Sequence, residues 1–224
     1  MVRLLVKCLA LLTSGAALSW MLAFAGADDK KSSNELEKWT PLFNGKDLTG
    51  WKTHPKSPGK WRVEDGILIG SGPASHLFSE RGDYQNFRYR VEAMINEGGN
   101  SGQYFRTKFG PGFPEGYEAQ INSTHRDPIK TGSLYPGRLK LNQGDREKIV
   151  VKEILVKPNE WFTQEVIAIG NHIVIKVNGK TTVDFVDVNN NYTKGHFALQ
   201  QHDPGSVVKF RKIEVIELPA DQKE

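Results

Sequence analysis

Two short segments of the sequence place Glu, Gln and His side chains at every second position. In residues 117–122 and again in residues 196–202, apolar side chains alternate with polar ones, so the polar ones project from one side of a strand. A carboxyl group and an imidazole can exchange protons near neutral pH, so this set could carry general acid–base chemistry. The alternative is an ordinary solvated sheet face. The residues concerned are Glu118, Gln120, Gln200 and His202.

The rest of the chain predicts the strands that would bring these segments together. Short stretches rich in β-branched and aromatic residues are separated by turn signals such as Asn178-Gly179, and no long stretch has helical periodicity. We therefore predict an all-β antiparallel sandwich of two facing sheets with about a dozen strands, and we place Trp39, Trp51 and Trp61 in its core. The predicted strands are Lys60–Val63, Ile67–Gly70, Phe87–Ile95, Gly102–Thr107, Tyr117–Asn122, Ile149–Val156, Trp161–Ala168, His172–Val177, Thr181–Phe185, His196–Gln201 and Val207–Leu218.

The first 27 residues have the pattern of a cleaved signal peptide. Arg3 and Lys7 introduce an apolar stretch over residues 8–24, and Ala25-Gly26-Ala27 matches a small-residue cleavage site. The apolar stretch is short for a membrane span, so we expect no stable membrane anchor. We expect a secreted or periplasmic protein. Its segments are a signal peptide at 1–27, a polar linker at 28–38, one β-sandwich domain at 39–218 and a tail at 219–224.

Composition narrows the classes of function. Removal of the signal peptide, with Arg3 and Lys7, would lower the formal net charge from +4 to +2, and the basic residues are scattered, so we expect no nucleic-acid partner. The single cysteine, Cys8, lies inside the signal peptide, which excludes a disulfide or a cysteine nucleophile in the exported chain. The chain has no P-loop, no dinucleotide fingerprint and no Gly-x-Ser-x-Gly elbow, so we expect no nucleotide cofactor and no serine-hydrolase chemistry.

Several motifs, taken together and in order, resemble one protein family. The motifs are Leu42–Trp51, Trp61–Leu68, Asn100–Arg106, Gly116–Ile121, Lys130–Tyr135, Trp161–Thr163, Val177–Gly179 and Phe210–Ile213. They resemble the secreted family of 3-keto-disaccharide hydrolases, whose fold is a concanavalin A-like jelly-roll sandwich. The resemblance runs from Trp39 to Leu218. Two segments depart from the family pattern, namely Asn122–His125 and the long, charged segment 136–149.

The resemblance implies chemistry on a sugar that already carries a ketone at C3. The ketone acidifies the C2 hydrogen, so a base can remove it, the C1 substituent can leave by β-elimination, and water can add to the product. In this scheme His202 is the base, Arg106 holds the enolate or the sugar hydroxyls, and Glu118 is an acid or a metal ligand. Further candidate substrate-binding residues are Gln120, Lys130, Tyr135, Gln200, His125, Glu92 and Glu80.

Each catalytic candidate also has a structural explanation. Glu118 and Arg106 could form a cross-strand ion pair, and His202 could simply end a strand before the Asp203-Pro204-Gly205 turn. At the level of function, two other classes stay open: a non-catalytic carbohydrate-binding module and an envelope scaffold without a small ligand.

The implied chemistry also suggests cofactors and partners. A divalent metal ion could stabilise an enolate, but no two candidate ligands have a close metal-type spacing, so the metal stays an open alternative. The implied substrate is an oligosaccharide or glycoside, and a separate 3-dehydrogenase must oxidise it beforehand.

Overall fold

The computed structural model describes residues 38–219. The expected signal peptide, residues 28–37 of the linker and residues 220–224 of the tail lie outside this part. The described chain forms β1 (Thr40–Pro41), β2 (Trp51–Thr53), β3 (Lys60–Glu64), β4 (Ile67–Ser71), β5 (Ser75–Ser79), β6 (Phe87–Ile95), β7 (Asn100–Thr107), β8 (Tyr117–Asn122), helix α1 (Gln143–Lys148), β9 (Phe162–Ile169), β10 (His172–Val177), β11 (Lys180–Val186), β12 (His196–Gln201) and β13 (Val208–Glu217).

The strands pair into two antiparallel sheets. The larger sheet has the order β11-β10-β9-β6-β13-β4-β3, with β1 paired to β13, and the smaller has the order β2-β5-β12-β7-β8. This confirms the predicted all-β class. Because β5, β12, β7 and β8 are neighbours, the polar positions of β8 and β12 share one sheet.

The inner faces of the two sheets contribute to one hydrophobic core. Tyr89 and Val91 of β6 and Ile121 of β8 are fully buried in the same apolar cluster, together with Phe197 and Leu199 of β12. Successive side chains of a strand point to opposite faces, so the residues between these positions face away from the core. The alternation predicted for residues 117–122 and 196–202 is therefore confirmed.

The strand prediction was wrong for residues 149–156. Ile149 and Val156 pack into the core, but the backbone here does not extend a sheet ladder. The backbone of this segment forms hydrogen bonds with the preceding loop instead. The N–H of Leu134 donates to the carbonyl of Ile149 at 3.0 Å. The apolar pattern therefore reflects burial without strand pairing. Strands β1, β2 and β5 were not predicted, and β5 is buried along its whole length.

The predicted burial of the tryptophans needs one correction. Trp51 is buried and Trp61 packs partly against the core, as predicted, but Trp39 is only half-buried and lies against the guanidinium group of Arg90. Helix α1 is capped at its N-terminus by Asn142, whose side chain accepts the N–H of Asp145. Within residues 38–219, no helix is long and apolar enough to span a membrane.

Candidate functional site

A cleft of about 330 Å³ opens on the outer face of the smaller sheet. This volume is near the lower end of the range for small-molecule sites. Loop 108–116 and loop 123–138 contribute to its walls. The strand residues that line it are Asn100, Tyr104, Glu118, Gln120 and Gln200, and His202 follows directly after β12. The loop side chains include Phe113, Asp127, Tyr135 and Arg138.

Glu118 presents a buried carboxyl group in this cleft. With the amide of Gln120 oriented to meet its acceptors, the amide nitrogen donates to Oε1 of Glu118 at 3.1 Å and to the carbonyl of Ser101 at 2.8 Å. Burial raises the pKa of Glu118 to about 8, the hydrogen bond with Tyr104 opposes this rise, and the charge of Asp127 adds to it. Glu118 is therefore mostly protonated at pH 7 and can act as an acid.

Two buried acceptor atoms of the cleft have no hydrogen-bond partner among the described residues. They are Oδ1 of Asn100 and Oε1 of Gln200, and both residues are only 2% exposed. The amide nitrogen of Gln200 is already engaged, since it donates to the hydroxyl of Tyr104 at 3.1 Å. An unpaired buried polar atom costs about 1–3 kcal/mol. A ligand that carries hydroxyl groups would supply the missing donors.

His202 is oriented by the residue that follows it. Nδ1 of His202 lies 2.8 Å from Oδ2 of Asp203, while Oδ1 of Asp203 accepts from the N–H of Gly205 and the hydroxyl of Ser206. Burial acts to raise the pKa of Asp203, but these hydrogen bonds outweigh it and hold the pKa below its ordinary value. The ionised carboxylate keeps the His202 hydrogen on Nδ1, which leaves Nε2 free to accept a proton.

His125 approaches the same carboxylate from the neighbouring loop. Its Nε2 lies 3.8 Å from Oδ2 of Asp203, and its ring centroid lies 5.5 Å from that of His202. Nδ1 of His125 accepts the backbone N–H of Asp127 at 3.1 Å. Because a backbone N–H can only donate, the neutral ring carries its hydrogen on Nε2, towards Asp203. Burial, and next the charge of His202, lower the pKa of His125.

His125, His202 and Asp203 are close enough to be considered as metal ligands. One ligand atom from each lies within 4.8 Å of the others. Ca²⁺ prefers oxygen ligands, so two imidazoles and one carboxylate would suit a transition metal better. However, the His125 nitrogen that faces the cluster carries a hydrogen, and Nδ1 of His202 already donates to Asp203. In this hydrogen-bonded state the three side chains form a proton-handling triad, and a metal ion could bind all three only by displacing the hydrogen on Nε2 of His125.

A segment after β8 carries Tyr135 into the cleft. Residues 131–135 run alongside β8, where the N–H of Tyr135 donates to the carbonyl of Glu118 at 2.8 Å. The hydroxyl of Tyr135 then donates to Asp127 at 3.3 Å. Arg138 follows as an exposed cationic side chain that lines the cleft.

Lys130 shapes the loop beside the cleft. Its Nζ donates to the backbone carbonyls of His125 at 2.6 Å and Asp127 at 2.8 Å. Asn122, from the end of β8, supports the same turn through its side-chain nitrogen, which donates to the carbonyls of Asp127 and Ile129. Lys130 is therefore placed to hold the loop, with its donors already engaged.

The structure brings five of the ten predicted site residues into the cleft. These are Glu118, Gln120, Tyr135, Gln200 and His202. His125 and Lys130 lie in the adjoining loop. Glu80 is exposed just after β5, where its N–H donates to the carbonyl of Gly50. Glu92 lies on the outer face of the larger sheet and pairs with Arg211, so the sandwich separates it from the cleft.

Arg106 does not contact the cleft, contrary to the prediction. Regular alternation would place it on the same face as Tyr104, but its φ of 48° and a register shift between β7 and β12 interrupt that alternation. The guanidinium group is buried and donates to the backbone carbonyls of Gln85 at 2.7 Å, Gly170 at 2.7 Å and Tyr192 at 3.3 Å. Arg106 therefore joins three backbone segments.

Sequence reasoning missed several residues of the site. Asn100 and Tyr104 could have been found, because strand alternation around Phe105 places them opposite the core. Asp203 directly follows His202, but its contact with His125 depends on the tertiary structure. Phe113 and Arg138 lie in loops, where no periodic pattern indicates the direction of a side chain.

Comparisons with known proteins are consistent with the observed fold and with the family motifs in the sequence. A family model described as the 3-keto-alpha-glucoside-1,2-lyase-like domain matches residues 38–216. No curated protein matches the sequence. A Parabacteroides distasonis ATCC 8503 protein, provisionally assigned as a glycosyl hydrolase, has a solved structure that is 24% identical, with a TM-score of 0.62, and the match covers 87% of this chain and 99% of that one.

Two carbohydrate-binding domains have similar folds at lower identity. The carbohydrate-binding module CBM66 from Bacillus subtilis is 17% identical with a TM-score of 0.53, over 75% of this chain and 96% of that one. The VIP36 exoplasmic/lumenal domain, solved with Ca²⁺ and Man3GlcNAc, is 8% identical with a TM-score of 0.56, over 80% and 88%. At these identities the likeness shows the fold alone. The family model, by contrast, covers most of the sequence, and the chain therefore belongs to the family of 3-keto-alpha-glucoside-1,2-lyase-like domains.

Proposed function

We propose that this protein is a carbohydrate-active enzyme that acts on glycosides or disaccharides already oxidised at C3. It removes the C2 proton and eliminates the C1 substituent. Family membership supports the substrate class. The observation that carries the proposal is the presence, in one cleft, of a protonated carboxyl group on Glu118 and an imidazole on His202 that Asp203 orients.

The first step is proton removal. Nε2 of His202 takes the proton from C2, and the electron pair of the C–H bond moves into the C3 carbonyl to form an enolate. Asp203 stabilises the imidazolium that results. Arg106 cannot stabilise the enolate, because its guanidinium group bonds to backbone carbonyls away from the cleft. We assign that role to Arg138, the cationic side chain that lines the cleft.

The second step is loss of the C1 substituent. The enolate re-forms the C3 ketone, a C1–C2 double bond appears, and the C1–O bond breaks. Glu118 donates its proton to the departing oxygen. In the hydrolytic version, water then adds to C1 and gives a proton to the Glu118 carboxylate, while His202 returns its proton to C2, so both groups regain their starting states. If water does not add, the reaction ends as a lyase reaction.

Two buried acceptor atoms without a partner in the described part of the chain favour the binding of a sugar in the cleft. Oδ1 of Asn100 and Oε1 of Gln200 would accept hydrogen bonds from substrate hydroxyl groups. These atoms would serve a non-catalytic carbohydrate-binding module equally well. A binding module, however, has no use for a buried carboxyl group held in its protonated form beside an oriented imidazole, so we favour the enzyme.

We further infer a jelly-roll sandwich of the concanavalin A type that is exported to the periplasm or the exterior. The signal-peptide pattern of residues 1–27 supports export. A separate 3-dehydrogenase must supply the oxidised substrate, because the chain contains no dinucleotide fingerprint.

The test uses purified protein and a matched pair of chromogenic glycosides, one oxidised at C3 and one not. We expect release of the chromophore from the 3-keto-glycoside only. Equal release from both glycosides would contradict the proposal. Binding of the 3-keto-glycoside without any turnover would favour the binding module instead.

A further inference from the structure

Phe113 presents a partly exposed aromatic ring to the cleft. It is 47% exposed, and among the exposed large apolar side chains of residues 38–219 it is the one that lines the cleft. Aromatic side chains left in water beside a polar site are typical of ligand-binding grooves. The exposed ring therefore needs an explanation beyond core packing.

The loop that carries Phe113 is held at its base. The N–H of Lys108 donates to the carbonyl of Glu115 at 2.8 Å, and the hydroxyl of Thr107 donates to the same carbonyl at 2.6 Å. Pro111 and Pro114 restrict the backbone on either side of Phe113. A ring held in this way loses little conformational entropy when a ligand packs on it.

The ring is positioned by two histidines. Its centroid lies 5.7 Å from that of His202 and 5.9 Å from that of His76. His76 is buried, and burial lowers its pKa to about 3, so a neutral ring packs against Phe113. A group bound at Phe113 therefore lies next to whatever is bound at His202.

We propose that Phe113 is the stacking platform for the leaving group, which is the second sugar ring of a 3-keto-disaccharide. The assignment rests on the proposed function. If His202 removes the C2 proton, the neighbouring C1 and its substituent lie within reach of the Phe113 ring. The C–H face of a pyranose ring can pack on the aromatic face, while its hydroxyl groups remain in water. A small leaving group such as methyl would be too short to use this platform.

The test compares Phe113→Ala with Phe109→Ala on two substrates. Phe109 is a matched control because it lies on the same loop and is 39% exposed, but packs against His54 and Phe78 instead of lining the cleft. For Phe113→Ala we expect the loss of kcat/KM to be about tenfold larger on a 3-keto-disaccharide than on methyl 3-keto-glucoside. Phe113→Trp should restore activity on the disaccharide. Phe113→Leu replaces the alanine variant if the latter does not fold.

Failure of this inference is distinguishable from failure of the proposed function. An equal effect of Phe113→Ala on both substrates, or no effect, would overturn the platform while leaving the enzyme intact. If the wild-type protein turns over neither substrate, calorimetric titration with maltose and methyl glucoside tests the Phe113 platform instead. Tighter binding of maltose that Phe113→Ala abolishes would support the platform. Equal binding of maltose by wild type and Phe113→Ala, or no binding by wild type, would overturn it.

Discussion

A β-carbon placed on Gly102 would lie 2.3 Å from Oε1 of Glu118 on the neighbouring strand. No real side chain tolerates so short a contact. Gly102 pairs with Gln120 in the ladder between β7 and β8, so the carboxyl group of Glu118 leans across the adjacent strand into the space that the glycine leaves. The position of the proposed acid therefore depends on a residue that has no functional group.

Gly102→Ala should displace the Glu118 carboxyl group without unfolding the protein, since the end of a flexible side chain can move. A displacement of about 1 Å can cost about 10²-fold in rate, and we expect a fall in kcat of that order. The measurement is kcat together with the thermal unfolding temperature. Gly144→Ala, in exposed helix α1, is the control and should leave kcat unchanged. Wild-type turnover by a folded Gly102→Ala protein would argue against the proposed role of Glu118.

Glu118→Gln should lower turnover by about 10²–10⁴-fold, because an amide cannot donate an acidic proton. Glutamine keeps the size of the neutral side chain, so the variant should fold and should be at least as stable as wild type near pH 7. Turnover of a chromogenic 3-keto-glycoside and the circular dichroism spectrum would be measured on the same samples. Near wild-type turnover by the folded variant would remove Glu118 from the mechanism.

The same substitution predicts a change in the pH dependence of stability. Burial raises the pKa of Glu118 from 4.5 to about 8 in the folded protein. Between these values the folded state holds more protons than the unfolded state, so this group's contribution to stability is full below pH 4.5 and is lost as the pH rises through about 8. The free energy of unfolding of wild type should therefore fall relative to that of Glu118→Gln between about pH 5 and about pH 9. A pH-independent difference in denaturant titrations would refute the raised pKa.

Asp203→Asn should lower kcat/KM by about 10²–10⁴-fold through its effect on His202. The amide no longer stabilises the imidazolium, so the acidic limb of the pH profile should also move to lower pH. Asp184→Asn is a matched control, because Asp184 contacts His172 at 2.6 Å outside the cleft. A lower rate with an unmoved pH profile would indicate a purely structural role for Asp203.

Arg106→Lys should destabilise the fold and leave the folded enzyme active. Lysine cannot reproduce the hydrogen bonds to Gln85, Gly170 and Tyr192 from one planar group, and we expect a loss of about 2–4 kcal/mol in the free energy of unfolding. Urea titration measures it. Arg88→Lys, at a partly exposed ion pair with Glu165, should lose less than about 1 kcal/mol. Normal stability with lost turnover would return Arg106 to the mechanism.

Removal of divalent metal ions should leave turnover and thermal stability unchanged. Nε2 of His125 carries a hydrogen, because Nδ1 of the same ring accepts the backbone N–H of Asp127. Nδ1 of His202 is engaged in a hydrogen bond with Asp203. Dialysis against EDTA followed by assay checks this expectation. Loss of activity that Zn²⁺ restores would show that the three residues do hold a metal.

Strand alternation is a local property, and where a strand is regular the sequence by itself was enough to assign each side chain to a face. The direction of a side chain in a strand is set by whether its position is odd or even, so the alternation alone assigns Glu118, Gln120, Gln200 and His202 to the face opposite the core. The family motifs added the proposed class of substrate. The same local rule failed at Arg106, where a residue with positive φ interrupts the strand and turns the side chain away.

Only the tertiary structure decided the chemistry of the cleft. Burial by the packed strands and loops around the cleft raises the pKa of Glu118. Asp203 meets His125 because loop 123–138 folds back along β8. Residues 149–156 looked like a strand because buried irregular chain and buried strand have the same apolar composition. Burial, desolvation and contacts between loops arise from the packing of the whole chain, and for this reason no local pattern in the sequence reports them.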